Sequence, residues 1–201
     1  SITFSLNRGN IPELTVSPSF TDMIDTYRKH KDQMSRKDKE ALLYAKEKVD
    51  KAQGFIEAIK QRRHTLIVTM KAIIDIQRQF FLDGDEADLK PMILKDVADR
   101  TGLDISTISR VSNVKYAQTK WGMFPLKFFF TDGYTTEDGE EMSTRKIKIA
   151  LQELINQEDK KKPLSDEALA KALKEKGFPI ARRTVAKYRE QFNIPVARLR
   201  K

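Results

Sequence analysis

The sequence predicts a mainly α-helical protein that begins with a short β-hairpin and ends in two helix-turn-helix units. Three observations predict this class. Apolar residues recur at helical spacing over most of the chain from residue 18 onward. Pairs of short helical patterns joined by a Gly-containing turn occur twice, near residues 93–115 and 164–195. Residues 2–16 instead alternate apolar and polar side chains, as a strand does.

Composition excludes several classes of function. The 201 residues include no Cys and only two His, His30 and His64. Disulfide scaffolds, thiolate zinc sites, iron–sulfur clusters and Cys nucleophiles are therefore excluded, and no His-based metal cluster or triad is expected. No apolar run approaches the roughly 18–20 residues of a membrane span, and residues 1–4 lack the features of a secretory signal. We expect a cytoplasmic protein without cofactor or bound metal that works by binding.

The excess of positive charge is concentrated at one end of the chain. The 38 Lys and Arg outnumber the 29 Asp and Glu by 9. Residues 160–201 hold 13 of the basic and 4 of the acidic residues, so residues 1–159 are balanced at 25 of each. A positive footprint confined to one end favours a polyanion-binding module attached to a neutral body. The alternative is a basic tail without a fold of its own.

The N-terminal part is predicted to be a β-hairpin followed by a helical domain. Apolar residues alternate on both sides of an Asn/Gly turn at residues 7–10, although Pro12 interrupts the second run. The spacing then predicts a helix that starts near residue 18 and, after a charged break, two more over about 39–62 and 64–82. The last of these is apolar on most sides and belongs in the middle of a bundle. We expect a protein-binding or scaffold domain here.

Residues 93–115 have the spacing of a helix-turn-helix. Ala98 is small enough to let two helices cross closely, Gly102 suits the left-handed turn position, and Ile108 fixes the second helix on the first. The outward side chains of the second helix suit phosphates and base edges; they are Ser106, Thr107, Ser109, Arg110 and Asn113. From the spacing alone, DNA binding and an ordinary helical corner that binds nothing are equal alternatives.

Residues 116–159 are predicted to connect two modules. The aromatic side chains of residues 116–135 indicate a packed connector that covers the helix-turn-helix rather than a base-stacking surface. Residues 131–141 are expected to form a flexible loop, and a helix is expected from Ser143 to about Gln157. The charged segment 159–163 is expected to be a domain boundary.

The C-terminal module is predicted to be a second helix-turn-helix with a longer turn. Ser165 is a good N-cap for its first helix, which Gly177 ends. Its second helix is predicted to run from Ile180 to Phe192, and Pro195 follows it. Because the basic residues lie on a folded pattern, the alternative of an unstructured basic tail is disfavoured.

Ten consecutive residues of this second helix resemble the signature of a known family. They read Ala-Arg-Arg-Thr-Val-Ala-Lys-Tyr-Arg-Glu and resemble the RpoN box of the enhancer-dependent bacterial sigma factors called sigma-N or sigma fifty-four. These residues are Ala181, Arg182, Arg183, Thr184, Val185, Ala186, Lys187, Tyr188, Arg189 and Glu190. Shorter stretches resemble the family as well, among them Phe80-Phe81 and Ser106–Val111. The resemblance is strongest over residues 80–201 and is looser, but collinear, before that.

The resemblance implies the division of the chain into four parts. It implies a core RNA polymerase-binding domain over residues 1–85 and a helix-turn-helix domain with its aromatic connector over residues 86–140. A linking helix over residues 141–159 and an RpoN-box DNA-binding domain over residues 160–201 complete the division. The family's glutamine-rich N-terminal region, which contacts an AAA+ activator ATPase, has no counterpart here. We therefore expect a fragment, in which the response to the activator belongs to the full-length protein.

The resemblance also implies a function. It implies a non-enzymatic sigma subunit that binds core RNA polymerase and directs it to promoter DNA with an upstream GG element and a downstream GC element. The RpoN box would enter the major groove of the GG (minus-twenty-four) element, and the first helix-turn-helix would lie beside the GC (minus-twelve) element. Paired donors match Arg183 to guanine, with Arg182 and Lys187 beside it. Tyr188 is expected to be packed rather than to contact a base.

Two other functions stay open on the sequence alone. An autonomous helix-turn-helix transcriptional regulator would also bind DNA, with the N-terminal helices supplying a dimer interface or an effector pocket. Co-migration with core RNA polymerase would separate it from a sigma subunit. A recombinase or nuclease would need a metal, and the acidic clusters at residues 83–88 and 137–141 lie in Gly-containing loops without a ligand pattern.

Overall fold

The computed structural model of the chain describes residues 1–7, 12–135 and 141–200. Within these residues the protein is mainly helical, as the sequence predicts, and it contains eight α-helices and two small antiparallel sheets. The chain forms two compact units. The first is Ser1 with Thr3–Val68, and the second is Ile2 with Thr69–Lys201.

The predicted N-terminal β-hairpin is wrong where the structure describes the chain. Residues 1–7 and 12–17 contain no strand, and most of the predicted turn at residues 7–10 lies outside the described residues. Val16 packs against the helices of the first unit instead. A two-stranded hairpin is marginal by itself, and Pro12 lacks the N–H that a strand ladder needs, so packing on helices is the better solution for these apolar side chains.

The first unit is built from α1 (Pro18–Lys29) and the first part of α2 (Arg36–Ile76), with a 3₁₀ turn at Lys31–Gln33 between them. Its buried residues are Ile24, Ala45 and Val49. A reciprocal cap fixes the start of α2: Ser35 Oγ donates to Asp38 Oδ2 at 2.7 Å, and the Asp38 N–H donates to Ser35 Oγ at 3.2 Å. The hydrogen bond from the Ser35 hydroxyl and a second one from the Ser35 N–H, at 2.9 Å, both end on the Asp38 carboxylate and hold its pKa below the usual range.

The two central helices predicted from the sequence are in fact one long helix and a short one. The prediction placed a break near residue 63, but residues 62–65 contain neither Gly nor Pro and α2 continues through them. The helix ends at Ile76, and α3 covers Arg78–Asp83. The periodicity located the apolar residues correctly but not the position of the break.

The break falls at the buried residue Gln77. Its Nε2 donates to the carbonyl oxygens of Lys90 and Phe129 at 2.8 and 2.9 Å, and its Oε1 accepts from the Lys90 N–H at 2.8 Å. These three hydrogen bonds satisfy a side chain that has no access to solvent. Gln77 thereby ties the end of α2 to the entry of the first helix-turn-helix.

The first helix-turn-helix consists of α4 (Leu94–Thr101) and α5 (Ile105–Val114). An antiparallel hairpin follows, in which β1 (Tyr116–Thr119) pairs with β2 (Gly122–Pro125). A 3₁₀ turn at Leu126–Phe129 then returns the chain to the core. The sequence predicts a packed connector here, and the aromatic residues are indeed packed, but the hairpin was not predicted.

Phe80 is the centre of the aromatic core beneath this helix-turn-helix. Five aromatic rings have their centroids within 6.0 Å of the Phe80 ring: Phe81, Trp121, Phe124, Phe128 and Phe129. Several of these pairs are edge-to-face, the arrangement that aromatic quadrupoles favour. The buried residues Val97, Ala98 and Ile108 join the helix-turn-helix to the same cluster.

The C-terminal part contains α6 (Thr144–Gln157), α7 (Asp166–Glu175) and α8 (Arg182–Gln191). A two-stranded sheet precedes α6, with β3 (Gly133–Thr135) paired to β4 (Glu141–Ser143). The flexible loop expected over residues 131–141 therefore includes β3 and the first residue of β4, and its residues 136–140 lie outside the described residues. The helix is confirmed as predicted from Ser143, whose Oγ accepts from the Arg145 N–H at 3.2 Å.

Candidate nucleic-acid interface

The first helix-turn-helix has the turn geometry that its spacing predicts. Gly102 adopts φ +71°, a left-handed conformation that an L side chain rarely adopts, and its N–H donates to the Ala98 carbonyl. Asp104 then caps α5, because its Oδ1 accepts from the Ser106 N–H at 2.7 Å. A hydrogen bond from the Ser106 side chain, together with this one from its N–H, holds the pKa of Asp104 below its usual range. Ile108 is fully buried and fixes α5 against α4.

Three of the five side chains predicted to face outward from α5 are exposed: Ser106, Arg110 and Asn113. Thr107 and Ser109 are half-buried, and Asn113 Nδ2 donates to Ser109 Oγ at 3.5 Å. The helix therefore presents a polar face with one cation. Two apolar side chains, Ile105 and Val114, are also exposed, one at each end of the helix.

The second helix-turn-helix is formed by α7 and α8 with a longer turn. Ser165 caps α7 through a hydrogen bond of 3.2 Å from the Ala168 N–H to Ser165 Oγ. Gly177 adopts φ +88° at the C-terminus of α7. Tyr134 donates from its hydroxyl to the Pro179 carbonyl and so fixes the turn to strand β3. Buried apolar residues hold the unit together, among them Leu151, Leu169, Leu173, Ile180 and Val185.

The ten residues of the RpoN box divide into an outer and an inner set. The exposed residues are Ala181, Arg182, Arg183, Lys187 and Glu190. The buried residues are Val185, Tyr188 and Arg189, and Thr184 and Ala186 are intermediate. Burial raises the pKa of Tyr188, which is packed as the sequence predicts. The exposed set contains three cations on one helix whose other side is firmly seated.

The sequence predicts Arg189 on the faces of this helix away from its apolar stripe, but in the structure Arg189 does not lie on the outer face with the other cations. It is only 3% exposed, and its Nε and Nη2 donate to Asp166 Oδ1 and Oδ2 at 2.9 and 3.2 Å. Its Nη1 also donates to the Ile194 carbonyl at 2.6 Å. The guanidinium therefore joins the start of α7 to the end of α8, and its donors are used within the protein. Arg189 lies four residues after the buried Val185, and this helical spacing is the signal in the sequence that Arg189 faces inward.

A second buried ion pair closes the C-terminal segment over this unit. Arg200 donates from Nε and Nη2 to Glu158 Oε1 and Oε2 at 2.7 and 2.9 Å. It also donates to the carbonyl oxygens of Leu164 and Pro195. The hydrogen bonds from Arg200 to the Glu158 carboxylate, together with one from the Leu164 N–H, hold the pKa of Glu158 below its usual range. Both side chains are less than a tenth exposed. No periodicity in the sequence indicates this pair, since its members are 42 residues apart.

Basic residues surround this unit. Lys160, Lys161 and Lys162 are exposed between α6 and α7, and Lys171 and Lys174 are exposed on α7. Lys148 Nζ lies 5.1 Å from the centre of the Tyr188 ring. Exposed Lys side chains near a cationic helix provide a field that attracts polyanions at long range.

The described residues contain neither a cluster of metal-ligating side chains nor a membrane-spanning helix. No group of three or more His, Asp or Glu among them could hold a metal ion, and the acidic residues 137–140 lie outside the described part. No helix in the described part is long and apolar enough to cross a membrane.

Two helix-turn-helix units, one of them with a cationic outer face, place the chain in the helix-turn-helix class of DNA-binding proteins. The family described as Sigma-54, DNA binding domain, matches residues 43–201, and the chain belongs to this family. The resemblance seen in the RpoN box is thereby confirmed.

The proteins similar to this chain are longer than it is. The RNA polymerase sigma-54 factors of Shewanella violacea and Escherichia coli K12 are each 36% identical to it, over 196 and 199 residues. These matches cover 98% and 99% of this chain but 38% and 40% of the relatives, so the chain spans about two fifths of their length. The crystal structure of Aquifex aeolicus sigmaN bound to promoter DNA is also similar. The match covers 94% of this chain and 53% of the Aquifex aeolicus chain, with a TM-score of 0.57 and 32% sequence identity.

Proposed function

We propose that this chain binds promoter DNA sequence-specifically as part of a sigma subunit that brings core RNA polymerase to GG/GC promoters. The observation that carries the proposal is the exposed cationic face of α8. Arg182, Arg183 and Lys187 are exposed there, while Val185 and Tyr188 are buried behind them. A helix seated in this way presents its cations without having to reorder, which lowers the cost of binding.

The GG element is the expected target of α8. Arg presents paired donors that match the O6 and N7 acceptors of guanine in the major groove. We assign Arg183 to base recognition, with Arg182 and Lys187 beside it on bases or phosphates. Arg189 is excluded from this role because its donors are bonded to Asp166 and Ile194.

The GC element is the expected target of α5. Ser106 and Arg110 are exposed on that helix and supply a hydroxyl and a guanidinium to the groove. Asn113 is exposed near the end of the helix and is suited to a phosphate or a base edge. Thr107 and Ser109 are half-buried, so we assign them lesser parts.

The polymerase-binding part is proposed to be residues 1–85, with DNA binding over residues 86–140 and 160–201 and a linking helix over residues 141–159. The basic excess of residues 160–201 supports the assignment of DNA binding to that part of the chain. An AAA+ activator ATPase is the proposed partner of the full-length protein. The role is that of a non-enzymatic initiation factor in the bacterial cytoplasm.

The test is a gel shift with a duplex that carries GG and GC elements at promoter spacing, with and without core RNA polymerase. The whole chain is expected to retard this duplex more strongly than one in which both elements are scrambled. It is also expected to co-migrate with core polymerase. Equal binding to both duplexes would contradict promoter recognition. Specific DNA binding without polymerase association would instead favour an autonomous regulator.

A further inference from the structure

The β1–β2 hairpin leaves one of its faces uncovered. Ala117 is part of the buried core, whereas Tyr116 and Met123 remain 64% and 65% exposed. Gln118 lies opposite Met123 in the ladder and is exposed as well. Because side chains two apart on a strand share a face, Tyr116, Gln118 and Met123 lie on one side of the hairpin. With Lys120 at the tip, they form what we call the hairpin face.

The segment that carries this face has positive charge only. Between Asp104 and Asp132 the sequence contains no Asp or Glu, but it contains four basic residues: Arg110, Lys115, Lys120 and Lys127. The zero balance of residues 1–159 conceals this local excess, since the compensating acids lie elsewhere. A segment of one sign attracts a polyanion even where the domain as a whole is neutral.

The tip of the hairpin is held in a defined position. Trp121 packs so closely on the turn before the helix-turn-helix that a Cβ at Gly84 would lie 2.5 Å from its ring. Thr119 Oγ1 accepts from the Trp121 N–H at 3.2 Å and donates to the Gly122 carbonyl at 2.9 Å. Lys120 Nζ lies 4.3 Å from the centre of the Trp121 ring. The position of Lys120 is therefore set before any ligand arrives.

We propose that the hairpin face is a second DNA-contacting element, a wing that binds the sugar–phosphate backbone next to the groove occupied by α5. Lys120 pairs with a phosphate, and Tyr116 and Met123 pack against deoxyribose. Helix α5 ends at Val114, β1 begins at Tyr116 and β2 contacts α5, so a duplex bound along α5 would pass beside the hairpin. This inference rests on the proposed function, because α5 has to bring the duplex alongside.

The test measures binding of the whole chain to the GG/GC duplex by fluorescence anisotropy over a series of salt concentrations. Lys120→Ala is expected to make the slope of log K against log salt shallower by about 0.9, the value for one lost phosphate contact. Gln118→Lys adds a cation to the same face and is expected to steepen the slope by about 0.9 and to tighten binding. A steeper slope in Gln118→Lys shows that this face lies close to DNA. A purely structural role of the hairpin would not produce that change.

Matched controls are available in the first unit. Lys31→Ala and Gln33→Lys make the same chemical changes at exposed positions of the 3₁₀ turn between α1 and α2. Both are expected to leave the salt slope at the wild-type value. A change as large as that of the hairpin variants would mean that net charge, rather than position, sets the slope, and would overturn the proposal.

The apolar side chains are tested by hydroxyl-radical footprinting. Tyr116→Ser and Met123→Ser are expected to reduce protection of the sugars beside the α5 site and to leave the GG site protected.

If the wild-type chain binds specifically but every hairpin variant keeps the wild-type slope and footprint, the wing proposal is wrong and the proposed function stands. If the wild-type chain binds no duplex, both are wrong. If the Ser variants weaken only the capture of core polymerase, the face is a protein-docking surface and the wing is wrong.

Discussion

Arg189 and Asp166 form a forked ion pair between the end of α8 and the start of α7, with N–O distances of 2.9 and 3.2 Å. Arg189 is therefore a cation of the RpoN box that stabilises the fold instead of meeting a ligand. Asp166 also lies in the first turn of α7, where the helix dipole favours a negative charge. The pair holds the two helices in the relation that exposes the outer cations.

The first prediction concerns this pair. Arg189→Ala is expected to reduce the free energy of unfolding of the C-terminal helix-turn-helix by about 3 kcal/mol. This is the lower end of the range for a broken buried pair, and we choose it because 21% of the Asp166 side chain is exposed. Arg189→Lys is expected to recover little, since an ammonium cannot make the forked contact. Urea denaturation followed by circular dichroism measures both. A stability equal to that of the wild type would contradict the structural role.

The second prediction concerns the outer face of the same helix. Arg183→Ala is expected to cost about 1–3 kcal/mol on the GG element and to relax discrimination there. Neutralising Lys160, Lys161 and Lys162 is expected to weaken all duplexes about equally and to flatten the salt slope. Competition binding with promoter and scrambled duplexes separates the two effects. Equal weakening of both duplexes by Arg183→Ala would remove it from base recognition.

Several features that depend on local pattern are predicted from the sequence, whereas those that depend on long-range contacts are not. The turn at Gly102 and the cap at Ser165 follow from the residue itself, so both are confirmed. The bond between Arg200 and Glu158 joins residues far apart in the chain, and no spacing indicates it. The site residues divide in the same way: helical spacing puts Val185 and Tyr188 inside and allows Arg189 beside them, but only the fold reveals that Asp166 and Ile194 are the partners of its guanidinium.

The third prediction is a pH dependence that comes from Glu158. Its pKa is lowered in the folded protein, first by the hydrogen bond from Arg200. A lowered folded pKa means that the stabilisation is complete above the unfolded value, near 4.5, and is lost as the pH falls through the folded pKa. Denaturation curves of the wild type and Glu158→Gln are therefore expected to differ most above the unfolded value and to converge as the pH falls through the lowered pKa of the folded protein. A constant difference across this range would contradict it.

The fourth prediction concerns the helix break. Gln77→Leu is expected to destabilise the second unit by about 1–3 kcal/mol for each polar group of Lys90 and Phe129 that loses its partner without gaining water. Gln79→Leu is the matched control, because Gln79 is exposed and bonds only to Asp83 on the surface. It is expected to change stability by less than about 0.5 kcal/mol. Equal effects of the two changes on thermal unfolding would argue against a special role for Gln77.

The fifth prediction compares two glycines with the same backbone conformation. Gly84 and Gly102 have φ of +80° and +71°, so a side chain at either position costs about 1–2 kcal/mol of backbone strain. The space around them differs, since a Cβ at Gly102 meets nothing within 4 Å, whereas one at Gly84 would lie 2.5 Å from the Trp121 ring. Gly84→Ala is therefore expected to cost about 1–3 kcal/mol more than Gly102→Ala through overpacking. Trp121 is the single tryptophan of the chain, so its fluorescence reports the displacement directly. The emission maximum is expected to shift in Gly84→Ala and to stay unchanged in Gly102→Ala. If the two variants had equal stability and equal emission, the position of Trp121 would not depend on its contact with the turn at Gly84.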